Sequence, residues 1–478
     1  MTVTDPVTSP SSSPVAAAPS RWKAWRVETV ALVTLAIPLV FTQLAQMAVM
    51  TTDVIMLGRL SQTALAAGAI GSTIYYFAWL IGAGPSSAVS PMIAQSLGAD
   101  PNNREAVRTI VRMGLWAVAL LALPMAALLV SAEWILLHLG QDPVLAKGAG
   151  QFVSVLAIGM PFTLGFLVLR NFATATGKPR AAMWVMLATI LWNALANYAL
   201  IFGHFGFPRL EMVGAGISTA SSGIFSFVAM VLIIRFDPDL RVYQPFKGLF
   251  VPAHRLLTEV FRLGVPIGMT MIFEAMLFNV MTLVMGTFGT DQLAAHQVAL
   301  NFASVTFMVP LGVGMAATVR VGLATGRGDM AAARLSGFVA MVVGVGFISL
   351  CGVAMAFAGR QIASLYFGPP TAQETQVITY ATQFLMIAAA FQIFDALQVI
   401  GGLALRGMKD ARVPMIIAGA SYWLVGAPIC LILAIPFDLK GFGVWIGLAA
   451  GLSVAAVAMG LRFEWLTRTS NNPAAVTV

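Results

Sequence analysis

The sequence predicts an all-α integral membrane protein of twelve transmembrane helices. They form two six-helix lobes related by pseudo-two-fold symmetry along the membrane normal. Three observations carry that reading: a scarcity of charge, twelve long apolar runs, and glycines, prolines and alanines that recur at one offset in the two halves.

Of the 478 residues, 59% are hydrophobic and 10% charged, with a mean hydropathy of +0.87. Soluble domains carry roughly 25% charged residues, so this chain cannot clothe a water-facing surface of its size. The net charge of +8 would suggest nucleic acid in a soluble protein. Here it reflects Lys and Arg gathered on one membrane side, and no nucleic-acid partner is expected. Cys351 and Cys430 lie inside apolar runs and offer neither a disulfide framework nor a CxxC metal motif.

A span needs about 20 apolar residues. The runs lie at 29–57, 64–97, 105–136, 145–172, 181–204, 212–235, 257–286, 292–325, 331–358, 374–404, 412–435 and 441–466. The first is too long for a signal-peptide core and reads as a true span. If the N-terminal tail is cytoplasmic, only five of the 27 Lys and Arg fall on the opposite side: Arg59, Lys147, Arg209, Arg360 and Lys440. That bias sets a multi-pass orientation with both termini cytoplasmic.

Residues 1–27 read as a disordered cytoplasmic tail and 467–478 as a second tail. The polar segment 236–256 reads as a cytoplasmic loop joining an N-terminal lobe, 28–235, to a C-terminal lobe, 257–466. A shift of 228 residues brings Pro38 onto Pro266, Gly58 onto Gly286, Gly84 onto Gly312 and Gly98 onto Gly326, with Leu65-Ala66-Ala67 onto Leu293-Ala294-Ala295. Six spans per half put both halves in one orientation, with binding expected between them and alternating access by rocking.

Most of the 19 Asp and Glu lie in loops, tails or near span ends. Asp53, Glu274 and Asp395 do not. A carboxylate at a helix centre costs about 2.5–3.5 kcal/mol on insertion scales, and no Lys or Arg is expected deep in a span to neutralise one. Uptake of a cation or proton would remove that cost. Asn193 and Asn197, four apart in the fifth span, share one helix face, and Ser218 and Thr219 stand in the sixth. With Asp53 they supply either oxygen ligands for Na⁺ or hydrogen bonds to a protonated carboxyl. For Glu274 and Asp395 the expectation is a coupled acidic pair. Pro38 and Pro266 each remove a helix hydrogen bond and invite a bend. Tyr75, Tyr76, Phe77 and Trp79 cluster in the second span and, with 26 Met, suit a repackable apolar surface. His296 suits either a titrating group or a packed structural histidine.

Enzyme motifs are lacking. Gly177-Lys178 is no phosphate-binding loop, since Phe172 takes the place of its first glycine and Pro179 that of its hydroxyl residue. Without a nucleotide-binding domain, an ion gradient must supply the energy. The reading is a secondary transporter that needs no cofactor beyond its coupling ion.

The segments MTTDVIMLGRLSQTALAA around Asp53, IFEAMLF around Glu274, AAHQVALNF, and FDALQVIGGLALRGMKDARVPM around Asp395 resemble the multidrug and toxic-compound extrusion (MATE) family. The match runs from about Val27 to Leu466 and is nearest its NorM-like branch, since the other bacterial branch typically lacks the C-terminal acidic pair. The resemblance implies a monomeric antiporter that exports cationic amphipathic drugs and dyes in exchange for Na⁺ or H⁺. It implies a coupling site of Asp53, Asn193, Asn197 and Thr219, and a second of Glu274 and Asp395, either of which would hold Na⁺. Tyr75 and Gln46 join the three carboxylates as expected substrate contacts. The offset sets Gln46 opposite Glu274 and Met281 opposite Asp53, so the lobes differ in chemistry. A lipid or polysaccharide-precursor flippase of the same superfamily is the alternative. It would line its cavity with Lys or Arg.

Overall fold

The computed structural model describes residues 21–364, 366 and 372–469, and among them there is no strand. Twelve of their helices are long and apolar enough to cross a membrane. They are α1 (Arg21–Leu60), α2 (Gln62–Ala99), α3 (Arg104–Val130), α4 (Pro143–Ala175), α5 (Pro179–Phe202), α6 (Glu211–Phe236), α7 (His254–Gly286), α8 (Thr290–Gly326), α9 (Met330–Ser364), α10 (Ala372–Gly407), α11 (Arg412–Ala434) and α12 (Lys440–Thr469). Helices satisfy their own backbone groups, which lipid requires. Local chemistry sets several boundaries: Ser61, Asn103 and Asp142 side chains cap α2, α3 and α4, and Gly203 closes α5 at φ +75°.

Three expectations need correction. Residues 21–27, read as part of a disordered tail, form the first turns of α1, where Trp25 packs against the core of the second lobe. The calls on 1–20 and 470–478 lie outside the described residues. The third span does not run unbroken to 136. It ends at Val130, and a separate short helix, Ala132–His138, follows Ser131 and packs on α4. Finally, arginines do lie within the helical bundle: Arg112 and Arg170 are buried, and Arg320 and Arg406 are half-buried. Arg112, Arg170 and Arg320 each reach a hydrogen-bond partner on another element, Gly248, Gln43 and Glu28 respectively, as a long stem allows.

Packing repeats under a shift of six helices. α1 against α5 is matched by α7 against α11, α2 against α4 by α8 against α10, and α4 against α6 by α10 against α12. Contacts between lobes exchange in the same way, α2–α7 with α1–α8 and α3–α7 with α1–α9. These approaches run from the helix middles to one face, that at which α1 begins and α12 ends, here the terminal face. A Cβ added to Gly84 would lie 2.4 Å from the Gly264 carbonyl oxygen and 2.6 Å from the Gly268 nitrogen. One on Gly98 would lie 2.3 Å from the Leu323 oxygen.

Two helices belong to both lobes. In α1, Leu32, Ala36 and Leu39 are buried in the second lobe's core, whereas Ala45 and Leu57 are buried in the first. In α7 the order reverses: Val260, Leu263 and Ile267 join the first core, and Leu277, Met281 and Met285 the second. Near each crossing stands a proline whose carbonyl accepts a threonine hydroxyl one turn on, Thr42 to Pro38 at 2.7 Å and Thr270 to Pro266 at 2.9 Å. The segment between the lobes is strapped to α3. Arg112 donates to the Gly248 carbonyl at 3.0 Å and the Trp116 indole to that of Leu249 at 2.7 Å. In α11, residues Ser421–Gly426 form a π-helical turn that buries Tyr422 completely.

Gly84→Leu should lower the melting temperature in detergent, because overpacking a tight contact costs about 1–3 kcal/mol and backbone cannot give way as a side chain would. Gly346→Ala, where an added Cβ meets nothing within 4 Å, should leave it unchanged or slightly raised. Equal melting of the two variants would contradict the close approach.

Candidate functional site

The fifth and sixth helices bring their polar residues to Asp53. Asn193 and Asn197 are completely buried on one face of α5. Their side-chain amides donate to Asp53 Oδ1 at 3.0 and 2.7 Å, and the Thr219 hydroxyl donates to Oδ2 at 2.9 Å. The Asn197 amide also reaches Asn193 Oδ1 at 3.2 Å. Ser218, expected as a helper, instead donates to the Asn193 backbone carbonyl at 3.2 Å and so fixes α6 against α5. Asp53 thus accepts three hydrogen bonds from neutral donors and has no cationic partner among the described residues. Amide N–H groups turned toward a carboxylate satisfy it as an anion. The same residues would ligate Na⁺ only after an amide turns its oxygen inward, and Asn197 Oδ1 is the buried oxygen that has no hydrogen-bond partner.

In the second lobe, Asp395 is buried in α10 and its Oδ1 has no hydrogen-bond partner. Glu274 on α7 lies within electrostatic range of it and is half-buried. Contrary to expectation, this pair has a basic neighbour: Arg406, near the end of α10, lies within electrostatic range of Glu274. The buried Tyr422 hydroxyl on the π turn also lacks a hydrogen-bond partner and lies within range of both carboxyls. Gln392, one turn before Asp395, donates to the Ala303 carbonyl at 2.9 Å and to the Thr306 hydroxyl at 2.6 Å, tying α10 to α8.

Other anticipated residues fall outside these two clusters. Gln46 is half-buried, two turns from Asp53 on the same flank of α1, and makes no hydrogen bond among the described residues. Tyr75 packs against the first core beside Thr163, within electrostatic range of Asp53. Tyr76, 40% exposed, stacks on Trp79. His296 is fully buried, with Nε2 3.3 Å from the Thr282 hydroxyl and its ring edge-on to Trp445, which is the packed reading. Sequence reasoning missed Arg406 and Tyr422. Arg406 stood in the quoted LALRGMKD stretch, and its place at a span end hid its reach. Nothing in the sequence announces the π turn that holds Tyr422.

Comparison with known proteins follows the same outline. The MatE family model matches residues 38–199 and 266–432, once in each lobe. The chain is 41% identical over 441 residues to a probable multidrug resistance protein NorM of Bradyrhizobium diazoefficiens, covering 92% of this chain and 94% of that one. It is 38% identical over 444 residues to the protein of the same description from Mesorhizobium japonicum, covering 93% and 95%. Among solved structures, the eukaryotic MATE transporter AtDTX14 superposes with a TM-score of 0.82 at 23% identity, covering 94% of this chain and 99% of that one. An outward-facing MATE family transporter of the MOP superfamily gives 0.84 at 18%, covering 94% and 98%. At those identities the structures speak to fold alone.

If Asn197 supports Asp53 directly, a double-mutant cycle of Asp53→Asn and Asn197→Ala, read by thermal unfolding, should give a coupling of about 1 kcal/mol or more. Additive effects would show the two side chains to be energetically separate.

Proposed function

Because this chain belongs to the MatE family, we propose that it is a multi-pass secondary transporter exporting cationic amphipathic drugs and dyes by antiport against Na⁺ or H⁺. The observation that carries the reading is Asp53, a carboxylate inside a transmembrane bundle held by three neutral donors and by no cationic side chain among the described residues. A residue so placed is costly unless its charge is used. A proton would neutralise it at the loss of one accepted bond, and Na⁺ would do so after rotation of an amide. The names carried by the bacterial relatives support multidrug export.

The second acidic cluster supplies the other half of an exchange. Glu274 and Asp395 repel one another in a low-dielectric setting, so a proton, Na⁺ or a cationic drug that enters relieves the repulsion. Arg406, within electrostatic range of Glu274, offsets part of that repulsion. Apolar and aromatic surface around Tyr75, Tyr76 and Trp79 suits a cationic drug's hydrophobic body. With the arginine-rich terminal face placed in the cytoplasm by the positive-inside rule, lobe contacts there close the inner side. The flippase alternative gains Arg170 and Arg406 as buried basic groups. Arg170, however, donates to Gln43 at 2.9 Å, and Arg406 lies within electrostatic range of Glu274, which would oppose an anionic ligand there.

Proteoliposomes with separately imposed Na⁺ and pH gradients test the proposal. The wild type should move a cationic dye under at least one gradient. Glu274→Gln and Asp395→Asn should each abolish that movement while the proteins keep wild-type elution profiles and helical content. Wild-type efflux by both amide variants would place coupling outside this pair, and dye movement without either gradient would exclude antiport.

A further inference from the structure

A fourth carboxylate lies within the helical bundle, outside both clusters. Glu28, 8% exposed, sits two turns into α1 on the terminal face. Its two oxygens are taken by the fork of Arg320 on α8: Nε donates to Oε1 at 2.9 Å and Nη2 to Oε2. The Ser336 hydroxyl on α9, itself buried, donates to Oε1 at 2.7 Å. A bidentate guanidinium–carboxylate pair with a third donor is among the strongest and most directional polar contacts available to side chains. It joins the first helix of one lobe to two helices of the other.

Resting on the transporter reading, we infer that Glu28, Arg320 and Ser336 form a latch that keeps the terminal face shut and parts whenever the protein opens there. Three features favour a latch over a permanent staple. The contact lies among the other inter-lobe approaches, Gly98 against Leu323 and the Gln95 amide donating to the Gly407 carbonyl at 2.9 Å. Those contacts must separate together if the lobes rock about the opposite face. The pair also lies at the helix ends nearest water, where released charges regain hydration, whereas a pair at mid-membrane would pay the full burial cost on opening. Finally, α1 continues unbroken from Glu28 to Asp53, 25 residues or about 37 Å of helix. A cation that changes how Asp53 sits against α5 and α6 therefore acts on the helix that the latch holds, through the bend that Pro38 invites. Glu28 and Arg320 touch no transported ion in this scheme. They position the lobes.

The test reads opening directly and needs no transport. Spin labels on Asn102→Cys, in the turn between α2 and α3, and Ala331→Cys, at the start of α9, both exposed, would report the inter-lobe distance in a background lacking Cys351 and Cys430. The latched protein should show one short distance. Glu28→Gln, and separately Arg320→Met, should raise the ratio of long to short distances by about tenfold or more, and the Glu28→Arg/Arg320→Glu exchange should restore the short one. Unchanged distances in both single variants, with lowered melting temperature, would show a static staple and overturn the inference. If the distances shift as expected while no variant or wild type moves dye, the latch stands and the transport reading fails.

Discussion

Helices in lipid must keep every backbone hydrogen bond within themselves, so two helical lobes rearrange as whole helices, and any rearrangement has to include the two that both lobes own. α1 and α7 are those helices. Each is buried in one lobe's core along its terminal half and in the other's along the remainder. The crossing is not incidental packing: withdrawing either half of α1 would uncover buried leucines, each worth about 1.5–3 kcal/mol wherever water or a polar cleft reaches them, so opening at the terminal face has to release Leu32 and Leu39 together with the Glu28 latch. Each crossing also carries a Pro–Thr pair in which the threonine hydroxyl takes the proline's own carbonyl. A side-chain bond of that kind competes with the backbone ladder and favours curvature, at the point where a shared helix has to flex.

Three solutions to one electrostatic problem appear along these shared rods. Glu28 is neutralised by an arginine fork, Asp53 is solvated by neutral donors, and Glu274 is left facing another carboxylate with an arginine at a distance. In a medium that punishes bare charge, the first arrangement is self-sufficient, the second tolerates either presence or absence of a counter-charge, and the third invites one. The differing environments on equivalent helices divide labour between lobes that share a backbone plan.

Much of this was legible in the sequence because lipid imposes simple rules. Spans could be read from apolar length, and their succession from the offset that joins Pro38 to Pro266. The Asp53 cradle followed from two asparagines at helical spacing. What escaped reading depends on reach and register. Arg320 and Arg406 counted as end-of-span residues, yet a guanidinium extends several ångströms beyond its Cα: that of Arg320 meets Glu28 on α1, and that of Arg406 comes within electrostatic range of Glu274. Glu28 looked like a residue at the membrane surface because the helix was expected to start near 29, and only the packing of Trp25 shows that it begins earlier. The break at Ser131 has no proline or glycine beside it to announce it.

The π turn at Ser421–Gly426 stores an extra residue within one winding of α11. An α-helix offers its neighbours a fixed sequence of faces, and a π turn resets that sequence midway. Residues before Ser421 therefore pack against α7 under one angular setting, and those after Gly426 meet α12 under another. A helix with such a reserve can rotate one end relative to the other by letting the bulge migrate, with each backbone donor passing to the next carbonyl. Through this turn, span α11 brings Tyr422 into the second lobe's core from a setting that an uninterrupted α-helix would not give it.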